Sequence, residues 1–223
     1  MKNLSVNDFQ KEDNQSSAKI LTKKQEDLPS SNESTEDKNR RLLHLKIAEL
    51  PGRKKFNEFD LKLNPKTKEG YQACIEWSGL ENEPFLTLYG KVGTGKTHLA
   101  IASGYRLIED KGQLVRFFSS TELIRQIQND MNQNILVPLI EQVKKTQILI
   151  LDDLGREYST SRTESVYHEL IDYRYANKLR TLVTTNHSIS ELEKIVGVPV
   201  VSRLKDSQIG RFIVMDGKDV REQ

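Results

Sequence analysis

The eight residues at positions 90–97 read Gly90-Lys91-Val92-Gly93-Thr94-Gly95-Lys96-Thr97. This segment matches the phosphate-loop pattern G-x-x-x-x-G-K-[ST] at every defined position. A short apolar run at 85–89 predicts a β-strand before it, and a helix is predicted after it, over 98–110. Because a strand before the loop and a helix after it are the context in which this pattern binds phosphate, we predict a nucleotide site here. The alternative, a glycine-rich turn that happens to precede a helix, is disfavoured by that context.

The residue types of the loop explain how it would hold a phosphate. Glycines let backbone N–H groups turn toward the phosphate oxygens, and the helix amino terminus adds unpaired donors and a favourable dipole. Lys96 is expected to reach the β- and γ-phosphates, and the Thr97 hydroxyl to bind Mg²⁺. We expect ATP to contact one continuous run of residues: Gly90, Lys91, Val92, Gly93, Thr94, Gly95, Lys96, Thr97 and His98.

A second acidic element follows a strand predicted at 147–151, which is almost wholly apolar and ends in Asp152-Asp153. In a phosphate-loop fold the first carboxylate, Asp152, holds the magnesium ion, usually through water. The second, Asp153, is placed to orient and activate an attacking water. A paired acid at this point favours hydrolysis over transfer to a substrate, and a simple strand-end turn is the alternative interpretation.

Asn186 ends the next apolar strand, predicted at 181–185. Its side chain would lie beside the γ-phosphate if this strand lies between those of the loop and Asp152. A lone asparagine after a strand more often belongs to a turn. The combination with the loop and the acidic pair favours the functional interpretation.

Strands and helices alternate along the second part of the chain, which predicts a parallel sheet in an α/β sandwich. The remaining strands are predicted at 114–118 and 211–215, and Ser119 and Ser188 start helices with a glutamate three residues later. The remaining predicted helices are near 136–145, over 162–177 and over 200–205.

The 223 residues carry a net charge of only +2, which excludes a strongly basic nucleic-acid coat over the whole chain. A single cysteine, Cys74, excludes an intrachain disulfide and a cysteine-based zinc cluster. No apolar run approaches the roughly 20 residues that span a bilayer, so we expect a cytoplasmic protein without a membrane partner. We predict three regions: a disordered polar tail at 1–39, linker helices at 40–79 and an ATPase core at 80–223.

Within the linker, an amphipathic helix is predicted over 41–50 and a second over 67–78. In the second helix Tyr71, Cys74 and Ile75 share one apolar face, and Trp77 is predicted toward its edge. Core packing is the favoured role of all four residues.

Three segments, GKVGTGKTHLA, ILILDDLG and TLVTTN, together resemble the DnaC/IstB family of AAA+ ATPases, the bacterial and phage helicase loaders and transposition helpers. The resemblance extends over about residues 50–221 and includes four further segments: 56–60, 171–175, 200–204 and 215–217. It implies a P-loop NTPase of AAA+ type, a three-layer sandwich with a five-stranded parallel sheet in the order 5-1-4-3-2. Only eight residues follow Met215, so no C-terminal lid domain is expected.

The resemblance also assigns roles. Asp152 and Asp153 would be the Walker B pair, and Asn186 would be sensor 1. Arg203 matches the box VII arginine, which reaches the ATP of a neighbouring subunit, although a surface ion pair is an equally available role. Many AAA+ proteins have glutamate where this chain has Asp153, so slow turnover is expected. The expected catalytic group is therefore Lys96, Asp153, Asn186 and Arg203.

The leading hypothesis from the resemblance is an ATPase that loads a hexameric replicative helicase on single-stranded DNA and assembles with itself into an oligomer or spiral. The alternatives are an IstB-like transposition helper, a small P-loop metabolite kinase and a nucleotide switch with negligible hydrolysis. The helix at about 121–129 would face single-stranded DNA. Basic and aromatic side chains could line a groove that suits a single strand: Arg116, Arg125, Lys144 and Lys145, with Phe117 or Phe118 nearby. A solvated helix face and buried aromatics are the more ordinary explanations of these residues.

Overall fold

The computed structural model describes residues 50–79, 83–133, 138–157, 160–217 and 219. The predicted tail at 1–39 and most of the predicted helix at 41–50 lie outside these residues. The five strands of the described part are β1 (Phe85–Tyr89), β2 (Val115–Ser119), β3 (Ile148–Asp152), β4 (Arg180–Thr185) and β5 (Gly210–Val214). Its α-helices are α1 (Lys68–Gly79), α2 (Lys96–Lys111), α3 (Ser120–Asn132), α4 (Leu139–Lys145), α5 (Ser161–Ala176), α6 (Ile189–Val196) and α7 (Val198–Leu204).

The five strands form one sheet in the order β2-β3-β4-β1-β5, and every neighbouring pair is parallel. Counted from its other edge, this is the predicted order 5-1-4-3-2, so the predicted fold is confirmed. β4 lies between β1 and β3, which is the condition under which Asn186 was expected to face the phosphates.

Alternating side chains of the strands separate two cores, one on each face of the sheet. On β3, Ile148 and Ile150 belong to one buried cluster and Leu149 and Leu151 to the other. Helices α1 and α2 cover the first face, and α3 to α7 supply the second cluster. Burial of both faces explains why β3 is apolar at every position before its aspartate.

Several element boundaries differ slightly from the predicted ones. β2, β3 and β5 are shifted by one residue from their predicted positions, and α7 begins two residues early, with Pro199 in its first turn. In α1, Trp77 and Cys74 are fully buried, which confirms their predicted core packing, whereas Tyr71 and Ile75 are only half-buried. The predicted position of Trp77 toward the edge of the apolar face was wrong. Trp77 belongs to the centre of the buried face because α1 packs on α2 there.

The carboxyl end of α4 depends on an arginine from another helix. Arg174 of α5 is fully buried, and its guanidinium donates to the carbonyl oxygens of Val143 at 3.1 Å, Lys144 at 3.2 Å and Thr146 at 2.7 Å. It also donates to the Arg180 carbonyl at 2.6 Å. Burial lowers the pKa of Arg174 to about 9. The terminal carbonyls of a helix have no partner within it, so this arginine provides them with one.

Candidate functional site: a nucleotide cleft

The carboxyl ends of β1, β3 and β4 meet at one edge of the sheet, where open parallel sheets bind ligands. A cleft of about 700 Å³ lies there. It is lined by the loop and by the residues that follow the two neighbouring strands: Lys54, Val92, Gly93, Gly95, Lys96, Thr97, His98, Asp152, Asp153, Arg156, Thr184, Asn186 and His187. The topology thus brings the loop, the acidic pair and Asn186 together, as the sequence analysis predicted.

Lys96 is held inside the loop that precedes it. Its side chain is only 5% exposed, and its Nζ donates to the carbonyl oxygens of Gly90 at 2.8 Å and Lys91 at 2.6 Å. α2 begins at Lys96, two residues before the predicted start. Its first turn faces the cleft, since its first three residues line it. A fixed ammonium and a helix amino terminus together favour an anion at this point.

Two glycines of the loop are required by their surroundings. Gly93 has a φ of +78°, and a Cβ there would lie 1.9 Å from the carboxylate of Asp219. Gly95 has a φ of +92°, and a Cβ there would lie 2.4 Å from the ring of Phe59. The left-handed backbone disfavours a larger residue at both positions, and a larger residue would also displace the neighbouring side chain.

Thr97, Asp152 and Thr184 form a group of oxygen atoms at the floor of the cleft. The Thr97 hydroxyl donates to the Asp152 carboxylate at 3.0 Å, and the Thr184 hydroxyl donates to it at 2.6 Å. Burial raises the pKa of Asp152, an effect that these hydrogen bonds oppose and the nearby Asp153 increases. A hydroxyl and a carboxylate at this distance, beside a phosphate loop, are donors that suit Mg²⁺.

Asp153 is positioned by an unusual backbone and by contacts to both carboxylate oxygens. Its φ is +60°, and its N–H donates to the Thr184 hydroxyl at 2.9 Å. The Asn186 amide donates to Oδ1, and the Arg156 guanidinium donates to Oδ2 at 3.2 Å. The hydroxyl of Ser120, the first residue of α3, donates to the Asp153 carbonyl at 2.7 Å. Asp153 and Asn186 therefore act as one hydrogen-bonded unit at the open side of the cleft.

His98 lies where the cleft meets the segment before α1. Its Nε2 is 3.0 Å from the Lys55 carbonyl oxygen, and its ring packs edge-on against Phe59 with centroids 5.4 Å apart. Phe59 in turn packs against Tyr71 of α1. The predicted contact of His98 with a ligand is compatible with this position, since its ring lines the cleft.

Arg203 does not line this cleft among the residues that the structure describes. Its guanidinium pairs with Asp172 of α5, donates to the Pro199 carbonyl at 3.0 Å and lies over the Tyr175 ring, 5.8 Å from the centroid. Both predicted roles, a surface ion pair and a residue that serves a neighbouring subunit, fit this location.

The DNA candidates do not form one groove. Arg116, Phe117 and Phe118 line a second cleft of about 740 Å³ beside α3, together with Glu122, the partner of Arg125. Lys144, by contrast, is 9% exposed and paired with Glu141 and Glu169. The expectation that Lys144 lines a DNA groove was wrong, because two carboxylates already hold its ammonium below the surface.

Four cleft residues were missed by the sequence analysis: Lys54, Arg156, Thr184 and His187. Thr184 and His187 flank the strand end that carries Asn186, so their proximity to that residue was an available signal. Lys54 belongs to a basic cluster at 53–55 that precedes the core. Arg156 follows the acidic pair by only three residues, but its direction depends on the turn between them.

Comparison with known proteins agrees with this geometry. A family model described as "IstB-like ATP binding protein" matches residues 6–207. The chain belongs to this family. The resemblance stated from the motifs is thereby confirmed. The match begins within the predicted tail.

Among the relatives is the insertion sequence IS21 putative ATP-binding protein of Pseudomonas aeruginosa, 30% identical over 161 residues, or 71% of this chain and 59% of the relative. The replicative helicase loader DnaI of Bacillus subtilis is 32% identical over 109 residues, or 48% of this chain and 35% of DnaI. Among solved structures, a crystal structure of the DnaC helicase loader matches with a TM-score of 0.65 and 26% identity, covering 73% of this chain and 96% of the other. The chain spans between about half and two thirds of the length of the first curated relatives that it matches.

A structure of the replication initiator DnaA bound to AMPPCP and single-stranded DNA shares the fold, with a TM-score of 0.65 at 19% identity. No helix within the described residues is long and apolar enough to cross a membrane.

Proposed function

We propose that the chain binds ATP with Mg²⁺ in the cleft and hydrolyses it. The observation that carries this proposal is the arrangement of Lys96, Thr97, Asp152, Asp153 and Asn186 around one strand-edge cleft. Membership of an ATP-binding family supports the nucleotide part. Hydrolysis is inferred from the second acid, which the binding of nucleotide alone does not need.

The chain's own residues have distinct tasks in this reaction. Lys96 and the loop N–H groups hold the β- and γ-phosphates, and Thr97 with Asp152 would hold Mg²⁺, which neutralises charge on the phosphate oxygens. Asp153, oriented by Asn186, positions a water and accepts its proton as the water oxygen bonds to the γ-phosphorus. The bond from phosphorus to the β–γ bridging oxygen breaks, which leaves ADP and inorganic phosphate.

Measurement of phosphate release from ATP in the presence of Mg²⁺ tests this proposal. Wild type and Lys96→Ala are compared, each with and without single-stranded DNA. We expect release from wild type and none from Lys96→Ala, which should also lose nucleotide binding while it keeps its circular dichroism spectrum. Undiminished ATP affinity in Lys96→Ala would overturn the assignment of the loop. ATP binding without any release from wild type would favour a nucleotide switch.

We further propose that ATP controls the delivery of a protein partner to single-stranded DNA, with assembly of several subunits. The sequence analysis favoured a replicative helicase, which the likeness to the loaders DnaI and DnaC supports. The family match and the insertion-sequence relatives support a transposase equally well. A small metabolite kinase is not proposed further, because the family match and the relatives support neither that substrate nor that reaction.

A pull-down with ATP and Mg²⁺ separates the two partners. The chain is immobilised and offered the helicase and any transposase from the same genome, each purified. Retention of one protein in ATP, and its loss with the Lys96→Ala variant, would identify the partner. Retention of neither, under conditions where ATP is bound, would contradict the delivery proposal and leave the ATPase proposal standing.

A further inference from the structure

Arg156 has no role in the function proposed above, yet it lines the nucleotide cleft. It follows β3 on a tight turn in which Asp153 has a φ of +60° and Gly155 a φ of +93°. The Arg156 N–H donates to the Asp153 carbonyl at 3.3 Å, which closes the turn. The side chain is thereby directed back over the strand end that carries the acidic pair.

The contact of Arg156 occupies the carboxylate on which the proposed hydrolysis depends. Arg156 donates to Asp153 Oδ2 at 3.2 Å, while Asn186 contacts Oδ1. Both oxygens of Asp153 therefore have a cationic or amide partner in this structure. A water that Asp153 positions must therefore share a carboxylate oxygen with one of these partners or displace that partner.

Of the two partners, Arg156 is the one that can leave. Its side chain is 75% exposed, whereas the Asp153 side chain is 20% exposed. Exposed ion pairs contribute little to stability, so the guanidinium is held only loosely. The Asn186 side chain is also exposed, but it is shorter and directly follows β4, so its amide has less freedom to move away.

A terminal phosphate is a stronger partner for this guanidinium than one carboxylate. Guanidinium groups bind phosphate with two parallel hydrogen bonds, and a γ-phosphate would enter the cleft within a side chain's reach of Arg156. ADP lacks that phosphate and offers Arg156 nothing in exchange for Asp153.

We propose that Arg156 senses the γ-phosphate within its own subunit, moving from Asp153 to the phosphate when ATP is bound. The move frees one carboxylate oxygen of Asp153 for the attacking water. ATP thus prepares its own hydrolysis, and ADP leaves Asp153 paired. This inference rests on the proposed function, since it requires ATP to bind at the loop.

The test compares affinities for Mg²⁺-ADP and for the non-hydrolysable analogue Mg²⁺-AMPPNP, measured by calorimetry on the full chain. Arg156→Ala should weaken AMPPNP binding about tenfold, the equivalent of one charge-assisted hydrogen bond, and leave ADP affinity within about twofold. Arg156→Lys should restore part of the lost preference, because it keeps the charge but not the planar pair of donors. Arg53→Ala is the matched control: it removes another exposed arginine from an ion pair, with Glu109, and should change neither affinity.

Preserved ADP binding shows that Arg156→Ala is folded, so the AMPPNP result can be interpreted. Equal losses for both nucleotides, no loss for either, or tighter AMPPNP binding in Arg156→Ala would each overturn the sensing role while leaving the ATP site in place. Failure of the wild-type chain to bind either nucleotide would instead overturn the ATP site, and the role of Arg156 with it.

Discussion

The Asp152 carboxylate is buried beside two threonine hydroxyls, and burial raises its pKa above that of an ordinary aspartate. In the folded chain the carboxyl group therefore holds its proton more tightly than in the unfolded chain. Protonation favours the fold, so this contribution to stability is present at low pH and is lost as the pH rises through the raised pKa. At neutral pH the ionised carboxylate opposes folding, a cost that fits the proposal that Asp152 helps to hold Mg²⁺.

We predict that Asp152→Asn is at least as stable as wild type at neutral pH without nucleotide, and that it loses the Mg²⁺-dependent part of ATP binding. The difference in melting temperature between variant and wild type should move in favour of the variant as the pH rises from about 4, near the ordinary aspartate pKa. Thermal unfolding across a pH series measures this difference. A deficit of the variant that is the same at every pH would show that the lost hydrogen bonds outweigh the charge.

Asp153 should matter for turnover and little for binding, because we propose that it orients the attacking water and does not hold the phosphates. We predict that Asp153→Asn keeps ATP affinity and loses phosphate release by about 100-fold or more, the usual contribution of a general base. Steady-state release and nucleotide affinity, measured on the same preparation, separate the two effects. Thr185→Ser is a suitable control, because it keeps the hydroxyl that donates to the Leu154 carbonyl next to Asp153. A parallel loss of affinity in Asp153→Asn would assign Asp153 to nucleotide binding instead.

Among individual residues, the sequence was sufficient to predict the position of those that end or directly follow a strand. Asp152, Asp153 and Asn186 each end or follow a strand, and parallel strands bring their carboxyl ends to one edge. Arg156 and Thr184 were missed for different reasons. The direction of Arg156 depends on left-handed residues at 153 and 155, which no periodicity reports, and Thr184 resembles any other residue of a buried strand.

Helix α4 is an element whose end is held by a side chain from another helix. It is seven residues long and ends without a glycine, and its last carbonyl groups accept hydrogen bonds from Arg174. Isolated helices of this length are not stable in water, so tertiary contacts must maintain it.

We predict that Arg174→Ala lowers the free energy of unfolding by about 3 kcal/mol or more, since several buried acceptors lose their donor and a cavity remains. Arg174→Lys should retain only part of the stability, because an ammonium cannot reach all of these carbonyls. His168→Ala, at an exposed position of the same helix, should change the value by less than about 0.5 kcal/mol. Urea unfolding measures all three variants, and a loss in Arg174→Ala no larger than in the control would contradict this account of α4.

The elements themselves were predictable where their pattern is local. β1 was predicted to the residue, and the capping box of Ser188 and Glu191 starts α6 as expected. The position of Trp77 on α1 was predicted wrongly because the apolar residues of α1 cover a broad face of the helix. Which part of this face is most deeply buried depends on the packing of α2 and cannot be read from α1 alone. The support of α4 by Arg174 could not be predicted either, since it joins residues about thirty positions apart.

For the whole molecule, the predicted tail at 1–39 stays a prediction, as it lies outside the described residues. The family match begins at residue 6, so the segment is shared with relatives to some extent. We predict that removing residues 1–39 leaves ATP binding and the melting temperature of the core unchanged, because the cleft residues of the described part begin at Lys54. Calorimetry and thermal unfolding of the shortened chain test this. A loss of ATP affinity would place part of the tail in the ATPase core.

The proposed role of Arg203 depends on assembly of several subunits. Within one subunit it is held by Asp172 and lies outside the cleft among the described residues. We predict that it completes the ATP site of a neighbouring subunit, so that Arg203→Ala lowers turnover more than ATP affinity, since a fixed positive charge acts mainly on the transition state. Phosphate release by Arg203→Ala and by wild type, each with single-stranded DNA, measures the effect. Full activity of Arg203→Ala would leave only the surface ion pair.

Mixing of inactive variants tests the prediction that Arg203 acts between subunits. Lys96→Ala has a defective phosphate loop but an intact Arg203, and Arg203→Ala has an intact loop but lacks the arginine. An interface between one subunit of each kind can place an intact loop beside an intact Arg203. Such a mixture should therefore recover activity. Asp153→Asn is the matched comparison, because we propose that Asp153 serves its own subunit. It should recover activity with Arg203→Ala but gain none with Lys96→Ala, since every intact loop in that mixture lacks the Asp153 carboxylate. No recovery between Lys96→Ala and Arg203→Ala, where cross-linking shows mixed oligomers, would remove Arg203 from the neighbouring site.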